Sequence, residues 1–121
     1  MSDRELLEKA ARAAGITLKP MQINNVSKQG DNRFIGYLAD VGQWPRGWFK
    51  PLTDDGDALR LAVKLRLGIV HGWESFEEQP LATVWISHDG QCLAEEVKGD
   101  DPYAATRRAI VRAAAALGET K

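Results

Sequence analysis

Apolar and polar positions alternate along this chain in two clear rhythms. Leu6, Leu7, Ala10, Ala11 and Ala14 recur at helical spacing. Ser2 and Glu5 ahead of them have capping-box spacing, and Gly15 behind them is a natural stop. The spacing predicts a first helix over 3–14. Ile16, Leu18 and Pro20 suggest an extended piece, and the stretch from Asn24 to Asn32 reads as loop. RFIGYLA favours a strand, with Gly36 marking a bulge or a close backbone approach. Pro45, Gly47 and Pro51 then interrupt regular structure.

A second helix is expected over 54–67, with Thr53 as its N-cap and Gly68 as its end. Ala58, Leu59, Leu61, Ala62, Val63 and Leu65 form a wide apolar face on it. A strand starts near Ile69 and reaches Trp73. LATVWIS is a strand rich in β-branched and aromatic residues, Asp89-Gly90 is a hairpin turn, and QCLAEEV returns. Asp101-Pro102 opens the last helix, which Gly118 is expected to end. Tyr103, Ala105, Thr106, Ala109, Ile110, Ala113 and Leu117 are its inner face, and Arg107, Arg108 and Arg112 its outer one.

This order predicts an α+β fold. Amphipathic helices pack on a small antiparallel sheet of three to four strands, as a two-layer or α-β-α sandwich. At 121 residues, with 44% hydrophobic and 27% charged residues, one globular domain over 1–121 is expected. The net charge of -1 gives no global field towards nucleic acid or anionic membranes. The single cysteine, Cys92, fits a reducing compartment. The charged, helical N-terminus does not read as a secretory leader, and no apolar run is long enough to span a bilayer, so a cytoplasmic protein is expected.

Candidate chemistry changes this picture little. Asp54, Asp55 and Asp57 form a carboxylate cluster, but at a helix start the dipole already favours them. His71, His88 and Cys92 carry metal-friendly atoms without paired ligand spacing. A Cys92–His88 nucleophilic pair competes with a turn histidine and a buried small thiol. Glu95 and Glu96 read as charges guarding a strand edge. Phosphate-loop and nucleophile-elbow motifs do not occur. No enzyme, cofactor or metal is therefore expected.

The aromatics are the stronger clue. Trp44, Arg46, Trp48 and Phe49 surround a Pro-Arg-Gly turn, and Trp and Arg are frequent binding anchors. This makes them candidate partner-binding residues. The competing reading folds both indoles back over an open end of the sheet, and their exposure decides between the two. Arg107, Arg108 and Arg112 are a weaker candidate nucleic-acid contact, since a domain-wide basic footprint is missing. A cleft of Trp44, Trp48, His71 and Asp54 is where a small-molecule ligand or substrate would be sought. Self-association through an exposed hairpin strand or the first helix is a further expectation.

WFKPLTDDGDALRLAVKL, followed by a hairpin and then DDPYAATRRAIVRAAAALG, resembles small uncharacterised proteins of bacteriophages and prophages. It is similar to the phage ABA sandwich domain over residues 44–118. The resemblance implies origin and fold. It brings no catalytic motif. With the aromatic segment it leads to the expectation of a phage-encoded accessory protein that binds a host or phage protein in the bacterial cytoplasm.

Overall fold

A computed structural model of the chain describes residues 2–24, 32–74, 79–86 and 91–119. Helix α1 spans Asp3–Ala14. The Ser2 hydroxyl accepts the Glu5 amide at 3.2 Å, the first half of the expected capping box. Gly15 adopts the left-handed conformation, its amide reaching Arg12 and the Ile16 amide reaching Ala11. These paired bonds close the helix and turn Ile16 inward, where it is buried.

Strands β1 (Leu18–Asn24), β2 (Asn32–Ala39) and β3 (Trp48–Phe49) form one antiparallel sheet in that order. Gly36 marks a bulge: the β1–β2 register shifts beside it and it takes a φ of 147°, while the Trp48 ring lies at a distance where a Cβ would make only ordinary contact.

Helix α2 spans Asp55–Lys64, shorter than the sequence suggests. Asp54, not Thr53, is the N-cap, accepting the Asp57 amide at 2.9 Å. The helix ends before Gly68 because Arg66 turns left-handed (φ 57°) and Leu67 already pairs in the next strand. Strands β4 (Leu67–Glu74), β5 (Gln79–Ile86) and β6 (Cys92–Val97) form a second antiparallel sheet in that order. Where the sequence pattern suggests one sheet of three to four strands, the described residues build two sheets of three. The α+β class stands, with helices packed on small antiparallel sheets.

Helix α3 spans Pro102–Glu119. Asp101 caps it by accepting the Ala104 amide at 3.0 Å. Gly118 does not terminate it. It lies inside the last turn against the Lys9 carbonyl of α1, where a methyl group would overlap backbone. The Arg108–Asp3 pair at one end and the Lys9–Glu119 pair at the other show that α1 and α3 run side by side in the same direction. Both helices carry buried alanines, Ala10, Ala11 and Ala14 on α1 and Ala109, Ala113 and Ala114 on α3.

Helix α3 covers β5 and β6, burying Ala82, Val84 and Ala94 beneath it. Helix α2 packs on α3 and touches β4. The first sheet joins α1 through Tyr37, whose hydroxyl bonds Glu8, and through Phe34, whose ring lies 4.1 Å from the Arg4 guanidinium carbon. One buried cluster links all three helices with both sheets. Among the described residues no helix is long and apolar enough to cross a membrane.

Candidate functional site

The segment from Trp44 to Phe49 makes a tight turn. The Gly47 amide bonds the Trp44 carbonyl at 3.1 Å, with Pro45 at the first central position and Arg46 at the second. Arg46 is left-handed (φ 64°), as the second central position of a type II turn requires. The turn carries Trp44 and Phe49 inward. They are only 5% and 1% exposed and meet edge to face, with centroids 5.1 Å apart. Both rings are therefore core, which corrects their reading as partner-binding residues. Burial of two large apolar rings outweighs what either gains from an occasional partner. Trp48 is half-buried over Gly36, and Pro45 and Arg46 are exposed at the tip. The Trp44 indole nitrogen has no hydrogen-bond partner among the described residues.

The arginines of α3 are committed within the fold. Arg107 donates to the Asp55 carboxylate at 2.6 Å and to the Leu52 carbonyl at 2.9 Å, fastening α3 to the start of α2. Arg108 meets Asp3 at 3.1 Å and Glu96 at 3.8 Å. Arg112 meets Glu96 at 2.8 Å and the Glu95 carbonyl at 3.0 Å. Each guanidinium already faces a carboxylate, a partner that a phosphate would first have to displace. Glu96 is thus a partner for two arginines as well as an edge charge.

The acidic cluster divides in the same way. Asp54 is the cap of α2 and Asp55 the partner of Arg107. Asp57 is buried, accepting the Lys50 amide at 2.9 Å and pairing with Arg60 at 2.9 Å. Among the described residues no three His, Cys, Asp or Glu side chains gather as a metal site. Cys92 is exposed rather than buried, on the strand opposite β4 across the sheet from His71. His88 lies outside the described residues, as do the side chains of Trp73 and Trp85.

A different site appears between α2, α3 and β4. Leu59, Ile69, His71, Tyr103 and Ile110 line an open groove of about 290 Å³, closed at one end by the Asp55–Arg107 pair. It contains neither Trp44, Trp48 nor Asp54, so the cleft expected from the sequence does not form around His71. Tyr103, expected on the inner face of α3, is 68% exposed, and Leu59, expected in the core, is 60% exposed. Sequence reasoning missed both, although the signal was present. The apolar arc of α2 is too wide for one short helix to bury, and only Ala58, Leu61 and Ala62 of it are buried beside Asp57. Val63, one turn beyond Leu59, is exposed with it.

Comparison with protein-family models, with curated proteins and with solved structures finds no match to this chain.

Proposed function

We propose that this chain is a phage- or prophage-encoded accessory protein of the bacterial cytoplasm that acts by binding another protein. The groove between α2, α3 and β4 carries the reading. It sets two large exposed apolar side chains, Leu59 and Tyr103, beside a floor of Ile69 and Ile110. Exposed apolar patches with a polar rim are the usual mark of a protein contact, and tyrosine is a frequent anchor. His71, Asp55 and Arg107 supply the rim. Phage origin rests on the likeness of residues 44–118 to phage sandwich proteins, and the cytoplasm on a lone, exposed cysteine.

The test is capture from a lysate of the native host by the purified, tagged chain. A partner retained by the unaltered protein and by Arg46→Ala, and lost with Leu59→Lys combined with Tyr103→Ala, supports the groove. Retention of the same partner by the groove variant overturns it. Loss with Arg46→Ala alone would move the site to the Pro45–Gly47 turn.

A further inference from the structure

The sequence treats the outer edges of the two sheets unequally. β1 carries Pro20, which has no amide proton to donate, and a register shift interrupts its ladder. β3 is two residues long. β6 carries Glu95 and Glu96 and a register shift, and Arg112 occupies its Glu95 carbonyl. Short length, proline, bulges and charge are the devices by which natural sheets avoid pairing edge to edge.

β4 has none of them before its last residue, Glu74. From Leu67 to Trp73 it contains no proline and no Lys, Arg, Asp or Glu. Its ladder with β5 runs from Leu67↔Ile86 to Glu74↔Gln79 without a shift. Among the described residues no strand pairs with its other side. The α3 helix lies over β5 and β6, and Val70 on the far face of β4 is 52% exposed. An edge strand of this kind presents a row of amide donors and carbonyl acceptors ready for another strand.

We propose that β4 is a homodimer seam, at which the β4 strands of two copies pair antiparallel across a two-fold axis. Directly opposed residues of a continuous sheet point to one face, while side chains alternate along each strand. A two-fold perpendicular to the sheet must therefore pass through a residue, not between two. Centring it on Val70 uses the whole uncharged span. Leu67 then opposes Trp73 of the second copy, Gly68 opposes Gly72, Ile69 opposes His71, and Val70 opposes itself. Centring it on His71 would instead draw the acidic Glu74 into the ladder.

A second copy is the occupant because the strand is complementary to itself. It brings no like charges together, and its two glycines meet each other in the Val70 register. A stable dimer covers about 800 Å² on each copy. A bare strand edge covers less, but Leu59 and Tyr103 stand exposed beside Ile69 and His71, with Val63 one turn away, and extend the strip on the helix side. The seam and the partner-binding groove share Leu59 and Tyr103, so a partner would compete with the second copy there; the seam is measured on the purified protein alone, so the two readings fail separately.

Light scattering and sedimentation of the full chain test it, with Val70→Lys and Val70→Glu. The expected result is a two-chain mass for the unaltered protein, a one-chain mass for each variant, and recovery of the two-chain mass when the variants are mixed, because lysine then opposes glutamate. Circular dichroism checks that each variant is folded. Val97→Lys, on the outer face of β6, should leave the dimer intact. A one-chain mass for the unaltered protein at every concentration overturns the proposal. So does a dimer that survives both single variants, or a mixture of folded variants that stays monomeric. Should the charged variants fail to fold, Val70→Cys in a Cys92→Ser background replaces them. Oxidised glutathione should then link two chains, and recovery of single chains only would overturn the seam.

Discussion

Buried polar atoms show how single residues hold this fold. The Asp57 carboxylate sits at the start of α2, and each of its oxygens has a partner, the Lys50 amide and the Arg60 guanidinium. Asp57→Ala would leave the Lys50 amide without its acceptor and take from Arg60 the nearer of its two carboxylates. Hydrogen bonds to a charged group are worth about 1.5–3 kcal/mol each, so the variant should lose about 2–3 kcal/mol in urea denaturation. Tyr37 adds a pH dependence. Burial pushes its phenol above the ordinary 10.0, and the bond to Glu8 pushes in the same direction. A group whose folded pKa is raised contributes stability below its unfolded pKa and loses it as pH rises through the folded value. Stability should therefore fall as pH rises above about 10, and Tyr37→Phe should flatten that limb of a denaturation–pH curve. The Tyr37 pairing was not legible in the sequence, because Glu8 and Tyr37 come together only when α1 lies against β2.

At the scale of elements, the joint between α1 and α3 is the tightest contact. Gly118 of α3 meets the Lys9 carbonyl of α1 with no room for a side chain. Gly118→Ala would raise helix propensity in isolation by about 1 kcal/mol. Here it must instead separate the helices, and overpacking of this kind costs about 1–3 kcal/mol. A lowered midpoint of thermal unfolding is the expected outcome, and a raised one would mean that the helices are free to slide. The end signals of α1 were legible, since Ser2 and Gly15 act through neighbours a few residues away. The end of α2 was not. Nothing local demands that the chain leave the helix at Lys64, and the pairing of Leu67 with Ile86 overrides a run that could have stayed helical. Gly118 misled in the same way, because a glycine near a helix end reads as a stop, and only the neighbouring helix makes it a contact.

For the whole molecule, the sequence by itself determined the class of the fold, the three helices, the strands that became β5 and β6, and the caps at both ends of α1 and at the start of α3. Each of these is set by periodicity or by hydrogen bonds spanning a few residues, so local pattern is enough. The tertiary structure alone decided what faces water. It buried Trp44 and Phe49, which composition marks as binding anchors, and it left Leu59, Val63 and Tyr103 exposed, which periodicity assigns to the core. It also set each arginine of α3 against an acid distant in sequence: Arg107 with Asp55, Arg108 with Asp3, Arg112 with Glu96. The division into two sheets, with β4 as an unguarded edge, belongs to the same level. The physical reason is common to all of these. Pattern fixes which face of an element is apolar, but whether that face is covered depends on how many other elements reach it, and this follows only from long-range packing.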